Sequence, residues 1–413
     1  MVEYAPKLLC EGIEGVNIER MRRDRQARAR QVMQQHGVAS LLVTGPTNIR
    51  YLEDFVSGDI QPGDNYLLFF AEHDSVMFGN AGTHLQSPDQ APWIKHWRPA
   101  RSWLQGLPGP SATREEMGLW AQEIAAELRS RGVAREPLGV LGYEEPALEA
   151  LRELGLKVVD GAPILMEACA VKTPDEITCL KNATSLTTVG FEKARDLLRP
   201  GVSTRDLTLE IRHALLRVGA EDAQPRMRFG PQAFPRSIAP VWQRVEYGDL
   251  GYIFLCRTSV LGYRTCIYRS YIVGRKPTEK EKDWYKRLRE RLDRVIDALR
   301  PGATTADAAQ HFPPASTWGL QDECEVLTVE FGHGIGLCML RGGGMAYNPP
   351  IINRQWSLKH PQPIVPGMVI AVESLEGEWR AGGVRLEDVV VVTEKGPQLI
   401  DHYPRDEIIV AGA

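Results

Sequence analysis

The chain has 413 residues, 43% of them hydrophobic and 25% charged, with a formal net charge of −4. At about 100–200 residues per domain this length holds two domains, each able to bury a core. The near-neutral balance without a strongly basic stretch excludes a nucleic-acid footprint, and the longest apolar runs, such as residues 67–71, fall far below the roughly 18 residues of a membrane helix. A soluble protein is expected. The opening Met1-Val2-Glu3-Tyr4-Ala5-Pro6-Lys7 lacks the charged-then-apolar layout of a signal peptide, so a cytoplasmic location is expected. Seven cysteines stand at positions 10, 169, 179, 256, 266, 324 and 338 with no C-x-x-C pair. That pattern predicts reduced thiols for most of them, and neither a disulfide framework nor a zinc ribbon.

Residues 17–37 are Arg-rich, with apolar Ile18, Met21, Ala27, Ala29, Val32 and Met33 interleaved, and read as a helix stopped by Gly37. Buried strands follow at 39–44 and 65–70, and 75–78 pairs back after a short turn at Glu72-His73-Asp74. A helix is predicted over 113–131, then short strands at 137–141 and 157–160 around a helix at 145–154. This alternation gives an α/β domain over residues 1–166.

The second domain, 167–413, opens at Thr173-Pro174-Asp175-Glu176, a Thr cap with Pro in the first helical position and Glu three residues after the cap. The helix runs to Leu198 and is closed by Arg199-Pro200-Gly201, and Ser203 caps the next one. This junction, residues 195–206, is echoed by residues 296–307, with Arg-Pro-Gly and Asp at matching places. Such a repeat implies two similar α/β halves with a cleft between them for a site.

Three segments combine polar residues with glycines in apolar surroundings: Gly332-His333-Gly334-Ile335-Gly336, a strand from Gly367 ending on Glu373, and residues 383–390, where Arg385 and Glu387 share one strand face. His333, Glu373 and Glu387 on separate strands suit either a metal of hard or borderline character or an acid/base set without metal. Singly, a His between glycines also reads as a backbone anchor, and a Glu beside Arg as an ion pair.

These segments, with Gly248-Asp249-Leu250 and the hairpin from Gly262-Tyr263 to Arg269-Ser270, resemble the creatinase/aminopeptidase P superfamily, which includes the Xaa-Pro peptidases. Asn48-Ile49-Arg50-Tyr51-Leu52 resembles a recurrent segment of that superfamily's N-terminal domain, so the resemblance covers nearly the whole chain. It implies an α/β fold made of an N-terminal creatinase-like domain and a C-terminal duplicated pita-bread catalytic domain. It also implies two metal ions held by Asp, Asp, His, Glu and Glu, of which His333, Glu373 and Glu387 carry over.

Both aspartates are missing, because their positions fall on Phe254 and Cys266. A phenyl ring cannot ligate and removes charge that would hold two divalent cations, which argues against an ordinary dinuclear peptidase site. Leu340, followed by Arg341 and three glycines, stands where the peptidases often carry a second His. Creatinase works without metal through a His whose position here is Ser237. The dimethylsulfoniopropionate lyases of the superfamily have a hairpin of the same length with an additional Asp that falls on Cys256. Cys256 and Cys266 therefore have three readings: ligands of a single zinc or iron ion, a thiolate nucleophile with His333 as its base, or small buried hydrophobes. The hairpin register decides whether they meet. Tyr268, beside the lost Asp, donates a proton or packs. Arg341 faces a substrate carboxylate or simply turns the chain. Asp59 and Asp64 lie in a loop that in creatinases reaches the partner subunit's site.

The leading expectation is a homodimeric, non-peptidase hydrolase or lyase that cleaves a C–N or similar bond of a small polar amino or carboxylate compound. His333 is its general acid/base, and Glu373 and Glu387 orient or deprotonate. Two close carboxylates without a dinuclear metal repel, which raises the pKa of one of them. One alternative is a one-metal enzyme, zinc or iron, using His333, Glu373, Glu387 and Cys266. The other is a non-catalytic protein that keeps the fold to bind a peptide or partner.

Overall fold

The computed structural model describes residues 15–58, 63–235, 242–326, 330–337 and 347–412. Asp59, Ser237 and Arg341 lie outside the described residues. Two compact units result, the first taking the chain through Cys169 together with Leu337, the second taking residues 170–336 and 347–412. Among the described residues no helix is long and apolar enough to cross a membrane.

The first unit is built on a six-stranded sheet of β1 (Ser40–Thr44), β2 (Tyr66–Phe70), β3 (Val76–Gly79), β4 (His96–Pro99), β5 (Pro137–Leu141) and β6 (Lys157–Asp160), in the order β4-β3-β2-β1-β5-β6. The uninterrupted apolar runs make β1 and β2 central, every residue of both buried, with β1 antiparallel to β2 and parallel to β5. The helix Ile18–Gln35 starts where Asn17 accepts a hydrogen bond from the Arg20 N–H, 2.9 Å. The helix Pro110–Ser130 begins three residues before its expected start because Pro110 suits the first turn. It lays Met117, Trp120, Ile124 and Leu128 onto the sheet core with Leu42, Tyr66, Leu68 and Val140.

The second unit carries a nine-stranded sheet, whose seven-strand path runs β13-β12-β14-β15-β11-β8-β7. Its members are β7 (Arg226–Phe229), β8 (Leu250–Phe254), β11 (Tyr268–Val273), β12 (Phe331–Gly334), β13 (Asn348–Ile352), β14 (Val369–Glu378) and β15 (Gly382–Thr393). β16 (Gly396–Leu399) adds to β15 and β17 (Ile409–Ala411) to β11. Two further short strands, β9 (Ser259–Val260) and β10 (Tyr263–Arg264), close the hairpin between β8 and β11.

The sequence repeat is visible as repeated geometry. Gly201 and Gly302 adopt the same positive φ, 87° and 88°, after the helices Pro174–Leu197 and Glu279–Asp297. Ser203 and Thr304 then cap the helices Thr204–Arg217 and Thr305–Ala309. In both copies the next residue donates its N–H to a glutamine carbonyl, Thr204 to Gln243 and Thr305 to Gln362, at 2.9 and 2.8 Å.

The helix Glu279–Asp297 presents Trp284, Leu288, Leu292 and Val295 to Ile370, Val372, Leu386 and Val390 of β14 and β15. Strand alternation sends the intervening residues, among them Glu373, Arg385 and Glu387, to the opposite face. One sheet face thus carries the core and the other the polar cluster.

In the first unit, Glu53 is buried at the end of the helix Pro46–Glu53, bonded to Ser75 Oγ at 2.6 Å and Gln26 Nε2 at 3.0 Å. Burial pushes its pKa up to about 7, against the lowering effects of Ser75, Arg30, Arg22 and Arg25. A carboxyl raised on folding contributes stability that is complete below its unfolded value of about 4.5 and is lost as pH rises through 7. Glu53→Gln, which keeps the hydrogen bonds, should therefore flatten the fall in stability between pH 4.5 and 7, a span of up to about 3 kcal/mol. Denaturation of the wild type and variant across that range checks this, and an unchanged slope would contradict it.

Candidate active site

Cross-strand register gathers the polar face. Tyr268 pairs with Phe254 and with Glu387, Glu387 with Glu373, Glu373 with Phe331, and His333 with Ala371. Because side chains alternate, Phe254, Tyr268, Glu387, Glu373, Phe331 and His333 all project from one side of the sheet. His333 and the two glutamates are buried, each at most 2% exposed. The glycines beside His333 have a steric reason, since a Cβ on Gly334 would run into the carbonyls of Asn348 and Pro349 on β13. Tyr347 packs edge-on against the imidazole with ring centroids 4.4 Å apart.

Two carboxylates stand opposite one another, and among the described residues one guanidinium sits with them. Arg385 Nη2 lies 2.5 Å from Glu373 Oε2, both groups buried. Its guanidinium stacks over the Tyr268 ring at 4.4 Å. Burial alone would lower the Arg385 pKa, but Glu373, Tyr268 and Tyr252 hold it above its ordinary value. Glu387 has no such partner. Burial first, then repulsion from Glu373, push its pKa up to about 7 against the opposing influence of His333 and Arg385. The sequence led us to expect a raised pKa for one of the two carboxylates, and that one is Glu387.

His333 Nδ1 lies 3.0 Å from the Gly334 carbonyl oxygen, which can only accept, so Nδ1 carries a proton. Its Nε2 faces Glu387 Oε1 at 3.6 Å, and neither atom has a hydrogen-bond partner among the described residues. Two buried acceptors face to face require a positive charge between them, a proton or a metal ion.

The two cysteines differ from expectation. Cys256 and Cys266, expected as reduced thiols and as candidate ligand or nucleophile, are joined in a disulfide, their Cα atoms 4.0 Å apart. The cause is register. Leu255 N–H donates to the Ile267 carbonyl and Arg257 N–H to that of Thr265, which sets Cys256 directly across from Cys266 in the close, non-hydrogen-bonded position of the hairpin. The disulfide lies beside the cluster, with Cys256 Sγ 4.0 Å from Glu387 Oε2. Cys324 is a free, exposed thiol. Tyr268 packs, stacked on Phe254 with ring centroids 4.7 Å apart as well as under Arg385. Asp64, in the first unit, is buried and accepts from Ser102 Oγ at 2.8 Å.

Sequence reasoning did not find Arg269 as a support. Buried on the helix side of the sheet, it donates to the Glu387 carbonyl at 2.7 Å and to Asp401 at 2.6 Å, fixing the backbone from which Glu387 projects. Its only signal was its place at the end of the matched hairpin.

Two divalent ions in the arrangement the resemblance implied do not fit these residues. Phe254 offers no donor, Cys256 and Cys266 are bonded to each other, and Arg385 occupies Glu373.

Fold and cluster together define the pita-bread class of enzyme. Residues 178–394 match metallopeptidase family M24 and residues 25–168 match the Creatinase/Prolidase N-terminal domain, and the chain belongs to family M24. It is 24% identical over 394 residues to the uncharacterized peptidase YqhT of Bacillus subtilis, covering 92% of this chain and 98% of that one. It is 26% identical over 412 residues to the dimethylsulfoniopropionate lyase DddP of Roseobacter denitrificans, covering 94% of this chain and 87% of that one. The solved Xaa-Pro dipeptidase of Bacillus anthracis superposes with a TM-score of 0.72 at 21% identity, covering 95% of this chain and all of that one. The family is one of enzymes, and its relatives include both hydrolases and a lyase.

Arg385→Met would leave Glu373 and Glu387 buried without a cation and should cost about 3–5 kcal/mol of stability. Adding Glu373→Gln to that variant should recover a substantial part. Chemical denaturation of the single and double variants measures both, and a loss below about 1 kcal/mol in the single variant would contradict the charge assignment.

Proposed function

We propose that the chain is a non-peptidase hydrolase or lyase that breaks a C–N or similar bond in a small polar amino or carboxylate compound, with proton transfer through Glu387 and His333 and without a dinuclear metal centre. The facing pair carries this reading: His333 Nε2 and Glu387 Oε1 lie 3.6 Å apart with no other partner among the described residues, and with Nδ1 tied to Gly334 the pair is arranged to share one proton as it closes. Such a pair can take a proton from water or from a carbon beside a leaving group and return it to the departing atom. Glu373 does different work, since its charge is matched by Arg385 and it fixes the guanidinium over the Tyr268 ring. Relatives that include a lyase as well as peptidases support both hydrolysis and elimination on this fold. A homodimer in the cytoplasm belongs to the same proposal and rests on the superfamily resemblance and the sequence.

The test is a substrate panel of Xaa-Pro dipeptides and small amino, betaine-like and sulfonium carboxylates, run on unreduced, chelator-treated protein. Turnover should favour the small compounds and survive chelation, and Glu387→Gln and His333→Ala should each lower kcat by about 10²–10⁴-fold. Xaa-Pro dipeptide hydrolysis that depends on added divalent metal, or activity indifferent to both substitutions, would overturn the proposal.

A further inference from the structure

We propose that the Cys256–Cys266 disulfide is a redox gate on a soft, single-metal site: when it is reduced, the two thiolates, Glu387 and His333 take one divalent ion of the zinc class. The inference goes beyond the reading above, which concerns the disulfide form, and its readout does not pass through activity.

Three observations carry it. The sulphurs of Cys256 and Cys266 and a carboxylate oxygen of Glu387 all lie within 4.8 Å of one another, and all three residues are buried. His333 Nε2 supplies a fourth donor, 3.6 Å from Glu387 Oε1, and both of these atoms are buried without a hydrogen-bond partner among the described residues. Donors on one tetrahedral zinc stand about 3.3–3.8 Å apart, so the His–Glu spacing already fits, while the sulphurs must separate from bonding distance to about 3.8 Å and His333, outside the group of donors within 4.8 Å of one another, must close on them. The Nδ1 hydrogen bond to Gly334 fixes the ring with Nε2 turned to the cluster, the usual support for a metal-binding imidazole. Finally, Cys256, Cys266 and His333 share a cavity of about 10 Å³, room for one ion or water. Arg257 and Arg264 also line it.

The step balances with a dithiol as reductant. Its two sulphurs become joined, two electrons and two protons pass to the protein, the S–S bond opens, and Cys256 and Cys266 are released as thiols. Each thiol loses its proton on binding a divalent ion. Thiolate and imidazole donors select zinc-class and related ions over magnesium or calcium. In the disulfide form the same space between His333 and Glu387 holds a proton instead.

The experiment uses the full chain with cobalt(II) as the probe, followed by displacement with zinc(II). Without reductant, the denatured protein should show two fewer reactive thiols than its seven cysteines, and cobalt should give no thiolate-to-metal charge-transfer band. After treatment with dithiothreitol and its removal under nitrogen, one equivalent of cobalt should produce that band, zinc should abolish it, and reoxidation should release the metal. Cys256→Ser and His333→Ala should each weaken binding by roughly 10–100-fold or more, while Cys324→Ser, at an exposed position, should leave it unchanged. The comparison of oxidised and reduced wild type needs no variant to fold. Reduced protein that gives no thiolate band, oxidised protein that binds cobalt equally well, or seven reactive thiols before reduction would each overturn the inference.

Discussion

Two buried carboxylates placed opposite each other on adjacent strands, with one guanidinium for both, set the terms for the second unit. Glu373 and Glu387 face across β14 and β15, and Arg385, two residues from Glu387 on β15, is matched to Glu373. Glu387 is left with a charge that low-dielectric surroundings do not tolerate unmatched. Its neighbours respond to that deficit. His333 turns a lone pair toward it, and the hairpin brings two sulphurs within ligand distance. On the proposed reading a proton satisfies the cluster in the disulfide form, and a softer cation replaces it when the sulphurs are free.

Phe254 and Cys266 stand where the superfamily resemblance places two aspartates. The phenyl ring stacks on Tyr268, which in turn underlies Arg385. An aromatic pair and a disulfide thus occupy these two positions. Arg269, from the opposite face, still holds the Glu387 backbone through its carbonyl. His333 and the two glutamates are thus held by contacts within the protein.

Much of this was legible in the sequence because it follows from local rules. Thr173 with Glu176, Ser203 and Thr304 announced their helices, and all three act as caps. The apolar run 66–70 announced a central strand. Period-two spacing put Arg385 and Glu387 on one face, and the expectation that two close carboxylates would split their pKa values holds for Glu387. Long-range register stayed hidden. Nothing local says that Cys256 lies directly across from Cys266, because a one-residue slip would turn one of them away. Nor does the sequence show which of two glutamates Arg385 will choose, since that depends on a diagonal contact between strands. The mixed strand His96–Pro99 and the supporting role of Arg269 escaped notice for the same reason.

The state of the His333 ring is the most direct test of the cluster's charge balance. Nitrogen NMR of isotope-labelled imidazole in the unreduced, chelator-treated protein should show a protonated Nδ1 and an Nε2 hydrogen-bonded to Glu387, with the Nε2 signal moving in Glu387→Gln. A bare Nδ1, or an Nε2 signal that ignores that substitution, would mean that no proton is shared between His333 and Glu387.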